Sequence, residues 1–160
     1  MNFKLIKASS EYENVIKNLM QFYYYDFSEY LKYDVEADGL FPPYPNLEDY
    51  WTSGTDKFPY IIKNEKNYIG FVLIRRIKTE ERNYFSIAEF FILRKYRLQG
   101  IGKAVAVEIF NLHRGEWEVY QKESNKPAQL FWNKTIKGYT KGQFSERFDN
   151  GRFIQNFENF

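Results

Sequence analysis

The stretch Glu89-Phe90-Phe91-Ile92-Leu93-Arg94-Lys95-Tyr96-Arg97-Leu98-Gln99-Gly100-Ile101-Gly102-Lys103-Ala104 decides how this chain is read. It opens as an apolar strand, passes through a short basic loop with two glycines, and closes as the start of a helix. A helix N-terminus offers N–H groups without intrahelical partners at the positive end of the dipole, so such a junction binds an anion. Gly100 and Gly102 let backbone and phosphate approach with no Cβ between them. Arg94, Lys95, Arg97 and Lys103 add positive charge. The chemistry predicted is a pyrophosphate cradle.

Two common phosphate ligands fail on residues. A dinucleotide fingerprint needs G-x-G-x-x-G, and Val105 stands where the third Gly or Ala belongs. A Walker A loop needs Gly six residues before its lysine and Ser or Thr after it. Arg97 and Ala104 occupy those places, so no hydroxyl is there for magnesium.

Outward from this junction, periodicity orders the chain. Phe3–Ile6 reads as a short strand. Ser10 followed by Glu13 has the spacing of a capping box. Tyr12, Val15, Ile16, Leu19, Met20, Phe22 and Tyr23 then form the apolar stripe of a helix that ends near Tyr30. Gly39, Pro42, Pro43 and Pro45 force a loop across 33–46, with a short helix near Asn46–Trp51. Phe58–Lys63, Asn67–Lys78 and Asn83–Leu93 read as an antiparallel meander. Gln99–His113 is a helix, Trp117–Tyr120 a strand, and Lys126–Ile136 a helix with Pro127 in its first turn. Tyr139–Phe148 and Arg152–Phe157 flank the hairpin signal Asp149-Asn150-Gly151. The order β-α-(α)-β-β-β-α-β-α-β-β predicts a mixed α+β fold around one sheet.

Composition narrows the chemistry. The 160 residues predict one domain with a proper core. With no cysteine there is no disulfide, thiol nucleophile or Cys-based metal site, and the single histidine, His113, excludes a multi-His metal site. His113 ends a predicted helix, where it complements the dipole. The longest apolar run, Tyr68–Ile74, falls far short of the roughly 20 residues of a membrane helix. The opening MNFKLIKASSEYENV turns polar too early for a secretory signal, so the expected compartment is the cytoplasm. Chemistry must come from carboxylates, tyrosines, backbone groups or a cofactor.

The pattern that fits the junction is R/Q-x-x-G-x-G/A, met by Arg97, Gly100 and Gly102. Here the sequence resembles the GNAT superfamily of N-acetyltransferases, whose loop of this form holds the pyrophosphate of acetyl-CoA. The element order matches that fold over essentially the whole chain. Asn125-Lys126-Pro127-Ala128-Gln129-Leu130-Phe131-Trp132 looks like the family's second motif, N-x-x-A-x-x-[LF]-[YW], at the start of a helix. The resemblance implies a single GNAT-like domain with a mostly antiparallel six- to seven-stranded sheet and about four helices. It implies direct transfer of acetyl from acetyl-CoA to a primary amine of a small molecule or peptide, without a metal. Cofactor contacts fall on Phe91, Ile92, Leu93, Arg97, Leu98, Gln99, Gly100, Ile101, Gly102, Lys103, Asn125 and Trp132, with oxyanion donors from the backbone around Ile92 and Leu93.

Residue by residue, the carry-over is uneven. The family's tyrosine acid falls at Trp132, whose indole is a very poor acid, so solvent or a tyrosine such as Tyr139 takes its place. Glu89 stands where many relatives keep a carboxylate and is the candidate base or amine-binding anion. Tyr120 replaces another carboxylate used in some relatives. An acyl-CoA-binding protein without transfer is the alternative reading.

Phe22-Tyr23-Tyr24-Tyr25 cannot place four rings on one helix face, so only part of it is core. The rest, with Asp26 and Glu29, falls in the region that lines the acceptor site in the family, and these two acids are the candidate acceptor contacts. An RNA-binding module is a remote alternative: Asn67–Ile74 resembles an RNP1 strand, but lacks its basic residue and stacking rings. Neither nucleic acid nor membrane is an expected partner, while exposed strand edges admit a homodimer. The formal charge of +2 hides an asymmetry. Residues 11–56 hold ten acids against Lys17 and Lys32, and the remainder is strongly basic. One part suits an anionic cofactor, the other a cationic acceptor.

Overall fold

The computed structural model describes residues 2–160. Seven strands form one sheet in the order β1-β2-β3-β4-β5-β7-β6. They are β1 (Lys4–Lys7), β2 (Lys57–Lys63), β3 (Tyr68–Lys78), β4 (Asn83–Ile92), β5 (Glu116–Lys122), β6 (Ser145–Asp149) and β7 (Arg152–Glu158). The helices are α1 (Glu13–Leu31), α2 (Asp49–Thr52), α3 (Ile101–Leu112) and α4 (Lys126–Thr140). β1–β2, β5–β7 and β6–β7 are antiparallel, while β4 and β5 run parallel with Phe85 opposite Trp117. The α+β order expected from the sequence is the order found. The residues fall into two compact units, 1–73 with 89–97, and 74–88 with 98–160.

In the first unit, α1 buries Ile16, Leu19, Met20 and Tyr23, spaced three and four apart as the stripe requires. Phe22, expected in that stripe, is exposed, because it lies a full step round the helix from Tyr23. Ser10 does not cap α1 either. It opens a single 3₁₀ turn, Ser10–Tyr12, and α1 starts only at Glu13, so the box residues sit one turn too early. The helix stops at Lys32, whose left-handed φ of 52° turns the chain back while its N–H bonds Ser28 O at 3.2 Å. The following loop is pinned to α1 by Gln21, which donates to Phe41 O at 3.0 Å and accepts from Phe41 N–H at 2.9 Å. Trp51 of α2 donates its indole N–H to Ala8 O at 2.9 Å.

Residues Ile69–Ile74 of β3 are all buried, so the strand is covered on both faces and has no ring platform for stacking bases. Gly70 has a specific task. A Cβ there would sit 1.9 Å from Phe91 O, so only glycine lets β4's backbone approach.

The second unit packs α3 and α4 on β5 and β7. Phe110 is the hub: its ring lies 4.9 Å from Trp117, 5.0 Å from Phe157 and 5.1 Å from Tyr139. Each such buried ring contributes about 2–3 kcal/mol. α4 runs to Thr140, so Tyr139, expected to open a strand, is helical, and β6 is only five residues long. Asn150 and Gly151 both have positive φ, 50° and 74°, the two left-handed residues of a tight hairpin turn. On β5, Glu118 accepts from Arg82 at 2.8 Å, Asn156 at 3.1 Å and Arg147 at 3.3 Å. Burial pushes its carboxyl up, and these donors outweigh that and hold it below the usual range.

Candidate active site

In the first unit, the last residues of β4 carry Glu89, the candidate carboxylate. Glu89 is half-buried, and the hydroxyl of Tyr23 donates to it across from α1. Phe90 N–H donates to that same phenol oxygen, so Tyr23 is fixed from both sides. The Tyr23 ring is seated among Phe27 at 4.6 Å, Phe91 at 5.6 Å and Phe71 at 5.8 Å. Burial, then the charge of Glu89 and the bond to it, push the Tyr23 phenol far up.

Two further tyrosines face this carboxylate. The turn at Lys32 brings Tyr33 edge-on to Tyr24 at 5.3 Å, and Phe41 lies 6.1 Å from Tyr24. Burial and the Glu89 charge push the Tyr24 phenol up to about 12 and raise that of Tyr33. The sequence signalled this region only as an aromatic run too long for one core face. That the phenols gather round Glu89 depends on a contact some sixty residues away, which no local pattern shows.

Asp26 lies elsewhere than expected. One of its oxygens accepts from Arg94 Nε at 3.0 Å and Nη2 at 2.9 Å, and the other accepts from Arg97 Nη2. Its charge is balanced by two guanidiniums, so Asp26 is not an anion held out to an amine. Glu29, exposed one turn further along α1, also acts on Arg94 and, after the Asp26 bond and charge, helps raise its pKa. Arg97 in turn donates its Nε–H to Ile92 O at 2.7 Å. The side chain expected at a pyrophosphate is therefore tied to Asp26 and to the strand. Leu93 N–H donates to Ile69 O at 2.8 Å, so of the two expected oxyanion donors Leu93 is used within the sheet. Phe91 and Ile92 are buried.

In the second unit, the glycine turn has the shape the sequence predicts. Leu98 and Gly100 have positive φ, 59° and 81°, and Gly100 stands as the N-cap of α3. No side chain caps this helix, and its first backbone bond runs from Ala104 N–H to Gly100 O at 3.1 Å. The N–H groups of Ile101, Gly102 and Lys103 thus lie in the first turn, where a helix supplies no acceptor. Leu98, Gln99, Gly100 and Lys103 are exposed, and Gly102 is half-buried. Donors without carbonyl partners, a left-handed glycine and a flanking lysine fit a phosphate group.

Asn125 is the N-cap of α4, its side-chain oxygen accepting from Ala128 N–H at 3.2 Å. Trp132, expected against the cofactor, is a buried core residue, 4.9 Å from Phe131 and 6.4 Å from Phe110. Tyr139 donates its hydroxyl to Asn111 at 2.9 Å and accepts from Asn159 at 3.1 Å, a tie between α4, α3 and the C-terminal residues. It is not placed as an acid. His113 packs on Phe85 at 5.0 Å, and its carbonyl accepts from the Trp117 indole, the structural role its position implied. Of two recesses of about 590 and 480 Å³ in this unit, the larger is lined in part by Lys126, Gln129 and Leu130 of the second motif, and neither is lined by an expected cofactor, catalytic or acceptor residue.

Among the described residues, no cluster of His, Cys, Asp or Glu could hold a metal ion, and no helix is long and apolar enough to cross a membrane.

Solved structures share this fold. PaiA N-acetyltransferase of Thermoplasma acidophilum, in complex with coenzyme A, matches at TM-score 0.65 and 15% identity, covering 99% of this chain and 100% of its own. NAA60 of Arabidopsis thaliana, in complex with acetyl-CoA, matches at 0.63 and 12%, with 98% of both chains covered. An acetyltransferase of Thermus thermophilus matches at 0.62 and 13%, again over 98% of both. No curated protein matches this sequence. The family model for the acetyltransferase (GNAT) family matches residues 15–137, most of the chain, and this protein belongs to that family.

Proposed function

We propose that this protein moves the acetyl group of acetyl-CoA to a primary amine of a small molecule or peptide. The observation that carries the reading is the uncapped first turn of α3 behind the left-handed Gly100. Structures of similar fold hold coenzyme A or acetyl-CoA, which supports the same ligand here. Acetyl-CoA supplies an activated thioester: the amine's N–C bond forms as the C–S bond breaks, and coenzyme A leaves as the thiol.

The chain's own groups divide the remaining work. The N–H groups of Ile101, Gly102 and Lys103 bind phosphate, with Lys103 adding charge. Glu89 takes the proton that an ammonium must lose before its nitrogen can attack. Leu93 N–H points to β3, so alternation turns Ile92 N–H to the opposite edge, and we assign it as the donor to a polarised carbonyl oxygen. Solvent supplies the proton for the thiolate, since Trp132 is no acid and the Tyr139 hydroxyl is engaged. The reading places the protein in the cytoplasm. A homodimer through a sheet edge is not part of it. β1 and β6 are four and five residues long and carry Lys4, Lys7 and Arg147, features that oppose edge pairing.

Isothermal titration with acetyl-CoA tests the cofactor assignment: saturable binding is expected, and no binding overturns it. Thiol release with a panel of amines separates transfer from binding without chemistry.

A further inference from the structure

The larger recess of the second unit, about 590 Å³, lies between α4 and the β6–β7 hairpin. The register of the hairpin explains its floor. Opposite residues of an antiparallel pair present their side chains on one face. Phe148 stands opposite Phe153, Glu146 stands opposite Gln155, and all four line the recess. The wall is α4, where Lys126, Gln129, Leu130 and Asn133 recur at the three- and four-residue spacing of one helix face.

The two ends of the recess differ. At one end the Phe148 and Phe153 rings lie 5.0 Å apart, and the Lys126 ammonium stands 5.8 Å over Phe153. At the other, Glu146 accepts from Asn133 Nδ2, and Gln155 is only 1% exposed. The Gln155 amide exchanges two hydrogen bonds with Gln121, at 2.8 and 3.1 Å. An amide carries two N–H donors and two lone pairs, so one of each is left on this buried side chain. Leu130 and Phe148, 74% and 54% exposed, add apolar surface that folding leaves uncovered.

Charge follows the same axis. Arg147 also borders the recess, but its guanidinium donates to Glu118 and Asn156. Lys126 is therefore the cation offered to a ligand, while Glu146 and Gln155 offer acceptors two residues further along the hairpin, about 7 Å away. The complement is a molecule with an anion at one end, a flat apolar body over the rings, and an N–H at the other. The volume lies within the roughly 300–1,000 Å³ of small-molecule sites.

We infer that this recess binds a small planar aromatic carboxylate bearing a ring N–H. Its carboxylate meets Lys126, its ring lies against Phe148, Phe153 and Leu130, and its N–H faces Gln155 and Glu146. No residue of the first turn of α3 lines the recess, so the inference stands apart from the acetyl-transfer reading.

Indole-3-acetate is the probe, titrated calorimetrically into the full chain. Indole-3-acetamide replaces its carboxylate with a neutral amide, and naphthalene-1-acetate keeps the carboxylate but lacks the N–H. Saturable binding of indole-3-acetate is expected, about tenfold tighter than the acetamide and about three- to tenfold tighter than the naphthalene. Lys126→Gln, at an exposed position, should weaken indole-3-acetate about tenfold and leave the acetamide unchanged. Leu130→Asp, also exposed, should abolish binding, with thermal melting showing that both variants fold. Saturating coenzyme A should leave the affinity for the probe unchanged. No binding of indole-3-acetate, equal affinity for the three probes, or full affinity in Lys126→Gln overturns the inference. Competition by coenzyme A overturns it as well, because the probe then sits in the cofactor's place. Sedimentation of the free protein should show a monomer; a dimer that Leu130→Asp dissociates would put a second copy of the chain in the recess and overturn the proposal.

Discussion

The Tyr23 hydroxyl donates a hydrogen bond to the Glu89 carboxylate, joining the buried face of α1 to the one carboxylate on β4. Phe90 N–H holds the phenol oxygen in turn, so Tyr23 orients Glu89 through two fixed contacts. A neutral phenol that donates to a carboxylate favours its ionised form. Tyr23→Phe keeps the ring among Phe27, Phe71 and Phe91 and removes only the donor. The expected result is a fall in kcat of about tenfold and an upward move of the acidic limb of the pH–rate profile. A profile that does not move shows that Tyr23 only packs.

The phenols themselves report the cluster. Tyr24 keeps its proton to about pH 12, while an unfolded tyrosine loses it near the usual value of 10. A raised folded value means stability that is full below the unfolded pKa and lost as pH rises through the folded one. The protein should therefore lose stability between about pH 10 and 12, and part of its tyrosine absorbance change should appear only with unfolding. Glu89→Gln removes the charge that opposes phenolate and should move the late tyrosines to lower pH. Ultraviolet titration of wild type and variant checks both statements; identical curves contradict the grouping.

Asp26 is predicted to act through Arg94 and Arg97 rather than on an acceptor. Asp26→Asn should lower the denaturant midpoint only slightly, since Arg94 is largely exposed and its ion pair is screened by solvent. Preference between a cationic and a neutral amine should stay as in the wild type. A changed preference would place Asp26 at the acceptor after all.

Gly70→Ala tests the approach of β4 to β3. The added methyl would fall 1.9 Å from Phe91 O, a backbone atom with no rotamer to escape to. The expected cost exceeds about 4 kcal/mol, seen as loss of soluble yield or a collapse of the thermal transition. Near wild-type stability would mean that the strands lie further apart.

Much of this architecture was legible because its signals are local. The apolar runs and turns of β2–β4 and the Asn150-Gly151 turn each occupy a few adjacent residues. The Gly100 turn was legible for the same reason. Local signals also misled. The helix expected to end at Ile136 runs on to Thr140 because Tyr139 packs on Phe110 and Phe157. Ser10 has the spacing of a cap but lies in the preceding 3₁₀ turn.

Glu89 was singled out through the family resemblance and the glycine turn from its own residues, but the partners of Asp26 and Glu89 were not legible. Arg94 is 68 residues from Asp26, and pairing over that separation leaves no trace in a single sequence. Trp132 was read through the family motif, whereas its position on α4 beside Phe110 makes it core.

The central claim is acetyl transfer from acetyl-CoA to an amine with Glu89 as the base. Its most direct test is mass-spectrometric detection of acetylated 3-methylbutylamine together with stoichiometric coenzyme A thiol, for wild type and Glu89→Gln. The account predicts acetylated product from the wild type, and a rate lower by about two orders of magnitude in the variant that rises with pH as free amine replaces ammonium. Product formed at the same rate by both proteins, or thiol released without acetylated amine, would contradict it.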